Sequence, residues 1–122
     1  MHIAVSNRSI ASGDWESVVT FAVEAERLGV HSIWTNEAWG YDAVTPLAFL
    51  AGRTSRLGLG TGIVQIGTRT PANLAMTALT LASMSGGRFM LGLGTSGPQV
   101  VEGWHGVSFA RPIQRTRELI EV

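Results

Sequence analysis

Gly92, Gly94 and Gly97 stand in the spacing Gly-x-Gly-x-x-Gly within Arg88-Phe-Met-Leu-Gly-Leu-Gly-Thr-Ser-Gly97. Glycines so placed let backbone N–H groups approach an anion closely. After a strand, the pattern is the fingerprint of dinucleotide phosphate binding. The loop that follows adds an aromatic pair, Trp104 and His105. Other chemistry-bearing types are few. There is no cysteine, which removes disulfides, thiolate metal ligands and a cysteine nucleophile together. His2, His31 and His105 lie far apart and form no ligand pair at helical spacing, so no metal site is expected.

A dinucleotide fold asks for more than three glycines. A helix must start at once, and an acidic residue about 20 positions on must end a second strand. Here Pro98 to Gly106 carries Gly103 and Gly106 and cannot make a long helix. The acidic candidate, Glu118, falls in a helix opened by Pro112, and no second strand follows before Val122. The fingerprint is therefore read as coincidental, and a small Rossmann-type binder is kept only as a third alternative.

The elements that must position these residues alternate. His2–Ser6 reads as a short apolar strand. Asp14 can cap a helix with Trp15, Val18, Val19, Ala22, Val23 and Leu28 on one face, ended by Gly29 in a left-handed conformation. Val30–Thr35 is a second strand. Thr45-Pro46 opens a second helix, with threonine as N-cap and proline in the first turn. Leu57–Ile63 is a third strand. Thr70-Pro71 repeats that grammar and opens a third helix, stopped by Gly86-Gly87. Phe89–Leu93 is a fourth strand, and Pro112 opens a fourth helix.

Four successive βα units imply a parallel sheet with right-handed crossovers. The last three strands are uncharged apolar runs, as expected when both faces are covered. There is also an internal echo: Leu57-Gly-Leu-Gly-Thr-Gly62 resembles Leu91-Gly-Leu-Gly-Thr-Ser96, one βα unit apart. A unit repeated in this way suits a (β/α)8 barrel. Glycines inside strands weaken them and need a reason. Close backbone approach to a flat ligand and tight packing of a neighbouring helix are both open.

With 122 residues the chain has room for one modest domain. Its 45% hydrophobic and 15% charged composition is that of a globular protein. Nine basic residues, all arginine, balance nine acidic ones, so there is no electrostatic case for nucleic acid or an anionic membrane surface. Leu74 to Met84 is too short and too interrupted to span a bilayer, and residues 1–8 lack the signature of a signal peptide. A cytoplasmic setting is the expectation.

A barrel keeps its functional residues at the C-terminal ends of its strands. Three loops fit: Asn36 to Asp42, Gly62 to Arg69, and Thr95 to Gly106. They are rich in glycine, hydrogen-bonding side chains and aromatics, which suits a large planar cofactor with a phosphate tail. Four ordered segments carry a resemblance: Gly29-Val-His-Ser-Ile-Trp34, Thr54-Ser-Arg-Leu-Gly-Leu-Gly-Thr-Gly62, Arg69-Thr-Pro71 and Leu81-Ala-Ser-Met-Ser-Gly-Gly-Arg88. With the glycine-rich stretch after Arg88, the set resembles the luciferase-like monooxygenase superfamily. It is most similar to the coenzyme F420-dependent oxidoreductases related to methylenetetrahydromethanopterin reductase. That family's fold is a TIM barrel, and residues 1–122 resemble its first four βα units only: a half-barrel, a single partial domain truncated at its C-terminus.

The resemblance implies a set of roles. The bond Gly62–Ile63 matches a non-prolyl cis peptide forming a bulge behind the cofactor ring. Asn36 matches a polar cofactor contact. Glu37 stands where relatives carry a catalytic histidine, and could act as proton donor if burial keeps it protonated near neutrality. Gln65, Thr95 and Ser96 match contacts to the cofactor tail, with Gln99 a further candidate. Gly97 lies in the same tail-facing turn, where some sugar-phosphate-oxidising relatives place a catalytic glutamate that is missing here. Trp39 and Trp104 could wall the substrate side or simply pack. His105 has no partner visible in the sequence, and His31, at the start of strand 2, reads as structural.

The function implied is hydride transfer between coenzyme F420 and a small organic substrate. FMN-dependent oxygen activation on the same scaffold is the alternative cofactor chemistry. A different class of answer is a non-catalytic half-barrel. Its open sheet edges call for a second copy, giving a homo-oligomer, or for completion by the missing half of the barrel.

Overall fold

The structure is a computed structural model and describes residues 1–6, 10 and 12–122. Strands β1 (Ala4–Ser6), β2 (Ser32–Asn36), β3 (Gly58–Gln65), β4 (Phe89–Met90) and β5 (Leu93–Gly94) alternate with helices α1 (Trp15–Arg27), α2 (Thr45–Ala51) and α3 (Pro71–Met84). A single helical turn, α4 (Pro98–Val101), and α5 (Pro112–Glu121) follow. All strand pairs are parallel, in the order β1-β2-β3-β4, with β5 also on β3. Sequential order without a reversal is what a barrel requires. A dinucleotide fold would show a switch point instead.

The local signals mostly act as read. The Asp14 carboxylate accepts from Ser17 N–H, and Thr70 Oγ1 from Asn73 N–H. Gly29 closes α1 with φ of 81°. The second helix differs: Thr45 is its first residue, and Asp42 Oδ1 accepts from Val44 and Thr45 N–H at 2.8 Å each. The carboxylate reaches both free amides, so the hydroxyl has no cap to make.

The fourth strand also differs. It is interrupted at Leu91-Gly92, because β3 carries one more residue than its neighbours. Thr35 pairs with Thr61 but Asn36 with Ile63, so Gly62 is a bulge. On the other edge, Met90 pairs with Gly60 and Leu93 with Val64. The Thr61 side chain bridges this gap, donating to Gly92 O at 3.0 Å and accepting from Gly92 N–H at 2.8 Å. The echo is therefore one of sequence and not of position. Leu93-Gly94 repeats Leu59-Gly60, yet it pairs with Val64-Gln65, further along β3.

One face of the sheet carries the core. Ile33 and Leu59 pack with Val18, Ala22, Leu47, Leu50, Ala51 and Leu81, so α1, α2 and α3 lie on the same side. Alternation along the strands turns Trp34, Gly58 and Gly60 to the opposite side. There the Trp34 indole lies over Gly60: a Cβ on that glycine would stand 2.5 Å from the ring. The strand glycine thus makes room for a neighbouring indole. Arg88 ties the N-terminal side of the sheet together, donating to the carbonyls of Ala51, Thr54, Leu57 and Ser85 and to Thr54 Oγ1.

Candidate cofactor site

The C-terminal ends of β2, β3 and β5 converge. Asn36 and Ile63 are register partners, and the Asn36 side chain folds over the bulge, where a Cβ on Gly62 would lie 2.0 Å from Asn36 Oδ1. No peptide bond among the described residues is cis. The cis bond implied at Gly62–Ile63 is thus absent, and the bulge at Gly62 is made with a trans bond.

Glu37 follows, 7% exposed. Its Oε1 accepts from the backbone N–H of Gln65 at 2.8 Å and from Arg69 Nη1 at 2.5 Å. Its Oε2 accepts from the backbone N–H of Ala43 and from Arg69 Nη2, each at 3.0 Å. One buried carboxylate therefore joins the loop before α2, the end of β3 and the loop before α3. Arg69 supplies the counter-charge that a buried carboxylate needs. The same guanidinium bears on Asp42. Burial pushes the Asp42 carboxyl up, but the Thr45 and Val44 N–H groups, the Thr45 hydroxyl and Arg69 together hold it below the usual range.

Beside this pair is a cleft of about 280 Å³ lined by Glu37, Tyr41, Gln65, Arg69, Trp104 and His105, among others. Gln65 is 3% exposed, and its Oε1 has no hydrogen-bond partner among the described residues. A buried acceptor left so is costly unless a ligand or water meets it. Trp104 and His105 form one wall, and Trp39 extends them into an aromatic ladder outside the lining. Trp39 stacks on Trp104 at 4.9 Å between centroids, and Trp104 on His105 at 5.9 Å. This ladder joins the loop after β2 to the loop beyond β5.

The sequence-derived residues thus fall into groups. Glu37 and Gln65 share the cleft with Trp104 and His105. Asn36, Gly62 and Ile63 lie at the bulge. Thr95, Ser96 and Gly97 leave β5 directly after Gly94, the register partner of Gln65, but do not line the cleft. Ser96 holds a left-handed φ of 57°, a strained setting for a residue with a Cβ. Gln99 is exposed and folds over Gly97. His31 sits at the far end against His2. In the sequence Arg69 stands out only as part of the Arg69-Thr-Pro71 motif. The demand of a buried Glu37 for a cation was the signal that could have found it. Tyr41, a cleft wall, had no such signal.

Parallel strands in sequential order, with a cleft built by the loops at their C-terminal ends, define half of a (β/α)8 barrel of the enzyme type. The chain belongs to the luciferase-like monooxygenase family, whose model matches residues 1–122. It is 55% identical over 98 residues to a Mycobacterium tuberculosis protein named "Putative coenzyme F420-dependent oxidoreductase Rv3520c", covering 80% of this chain and 28% of that one. Its fold matches that of the monooxygenase RslO1 from Streptomyces bottropensis with a TM-score of 0.87 and 27% identity, over 99% of this chain and 41% of that one. The oxygenating constituent of 3,6-diketocamphane monooxygenase from Pseudomonas putida shares the fold at a TM-score of 0.86 and 19% identity, over 100% and 38% of the two chains. The chain spans less than half the length of each of these relatives. Among the described residues no helix is long and apolar enough to cross a membrane.

Proposed function

We propose that this chain carries the cofactor-facing half of an oxidoreductase that moves a hydride between coenzyme F420 and a small organic substrate in the cytoplasm. The observation that carries the reading is Gln65, a buried residue that lines the cleft at the C-terminal ends of the strands and whose Oε1 has no hydrogen-bond partner among the described residues. The 55% identity to a protein named for coenzyme F420 supports the choice of cofactor. When bound, the deazaflavin supplies the two-electron chemistry, and the protein binds, orients and shields it. Asn36, with Gly62 and Ile63 at the bulge, would hold the ring. Gln65, with Thr95, Ser96 and Gly97 on the strand end beside it, would hold the tail through side-chain and backbone groups.

FMN is the second reading, since the Pseudomonas putida oxygenating constituent that shares this fold is described in complex with FMN. A fluorescence titration of the chain with each cofactor, alongside oxygen-electrode measurements, separates the two. Saturable F420 binding without oxygen uptake is the expected outcome. Flavin-dependent oxygen uptake would move the assignment to FMN, and binding of neither would remove both readings. The remaining barrel strands, from a second copy or from the missing half of the barrel, complete the substrate pocket.

A further inference from the structure

We infer that Glu37 is a positioning residue: clamped by Arg69, its carboxylate fixes the end of β3 that holds Gln65 in the wall of the cleft. This refines the expectation that Glu37 donates a proton, and it rests on the reading of Gln65 as a cofactor contact. All four partners of Glu37 are N–H donors. A carboxylate satisfies all of them as an acceptor, whereas a protonated carboxyl would turn one O–H toward an N–H. Two of the donors belong to the backbone, at Ala43 and Gln65, and both residues are buried. The other two form a bidentate guanidinium pair, the geometry that adds directional precision to charge. The pair spans 32 residues of sequence and the Gln65 bond 28, so one carboxylate sets the relative position of two loops and a strand end. Gln65 is held through its main chain while its side-chain oxygen stays unpartnered.

The test uses the 122-residue chain with F420 and FMN as probes and amide hydrogen exchange read residue by residue. Glu37→Gln and Arg69→Ala are expected to speed exchange at Gln65 and Ala43 by tenfold or more. They are also expected to weaken binding of the cofactor that the parent chain binds about tenfold. Arg69→Lys, which keeps the charge but not the fork, is expected to restore part of both and covers the case in which the other variants fail to fold. Gln65→Ala should weaken binding without speeding exchange at Ala43. The double variant E37Q/Q65A should bind no worse than the weaker single one, because Glu37 acts through Gln65. Unchanged exchange at Gln65 in Glu37→Gln overturns the proposal, as do additive losses in the double variant. Should the parent chain bind neither probe, the cofactor reading falls and the exchange result alone decides the clamp.

Discussion

At the scale of single residues, glycines of both the phosphate-binding signature and its echo meet protein. Gly60 faces the Trp34 indole, Gly62 the Asn36 amide, Gly94 the Ile63 side chain, and Gly92 the main chain of β3. The obstacles differ in kind, and so should the consequences of adding a methyl group. At Gly60 the Cβ would meet ring atoms at 2.5–2.6 Å. The indole is held on its other edge by a 2.9 Å bond from Trp34 Nε1 to Ser32 Oγ. Gly60→Ala must displace the ring, at a cost of roughly 1–3 kcal/mol. Removing the ring first should relieve most of it, so W34A/G60A should be less destabilised than the sum of the single changes. At Gly92 the Cβ would stand 2.0 Å from the Thr61 carbonyl oxygen, where there is no side chain to remove. Urea unfolding of the parent chain and the three variants of the Trp34–Gly60 cycle measures the coupling. Strict additivity would mean that the glycine serves something other than the indole. The sequence marked these glycines as needing a reason, but the neighbour that supplied it lies on another strand, beyond the reach of any local pattern.

At the scale of elements, the signals legible in the sequence are those made within a few residues. The caps at Asp14 and Thr70, the turn at Gly29 and the order of strands and helices all depend on neighbours in the chain. What could not be read depends on register. The bulge at Gly62 splits the fourth strand and slides the echo along the sheet, and neither follows from apolar spacing. The same limit hides a long-range cap. Glu26, on α1, accepts from the backbone N–H groups of Ser55, Arg56 and Leu57, which lead into β3. Burial pushes its carboxyl up, but those three donors and the charge of Arg56 outweigh it and leave it below the ordinary value of 4.5. The sign of the linkage follows. A group whose value is lowered by folding contributes stability above its unfolded value, and loses it as pH falls through the folded one. The midpoint of thermal unfolding should therefore fall as the solution is taken below about pH 4.5. Glu26→Gln should lower the midpoint at neutral pH and flatten that acid limb. Asp42 is lowered in the same sense and leaves a remnant of the slope. An acid limb as steep in Glu26→Gln as in the parent chain would show that Glu26 does not join α1 to β3.

At the scale of the whole molecule, the arrangement is one-sided. Helices α1, α2 and α3 cover one face of the sheet, while the face bearing Trp34 has no second layer among the described residues. On the outside, α3 exposes Met76 at 67% and Leu79 at 73%, large apolar side chains one helical turn apart. A layered fold normally buries both faces of a parallel sheet, and unpaired strand edges invite further pairing. The 122-residue chain is therefore expected to associate, with light scattering giving a mass above 13.0 kDa that falls on dilution. Two surfaces compete for that association, and one substitution tells them apart. Leu79→Glu places a charge on the outer face of α3 and touches neither the sheet face nor its edges. If α3 carries the contact, the variant should run as a monomer at concentrations where the parent chain does not. If the open sheet carries it, the variant should associate as before. Covering Trp34 should then shift its fluorescence to shorter wavelength as the concentration rises, since an indole leaving water loses its polar surroundings. A parent chain that stays at 13.0 kDa at every concentration and unfolds cooperatively would remove the association altogether. The single helical layer would then suffice for the fold, and the face opposite would be free to receive a ligand.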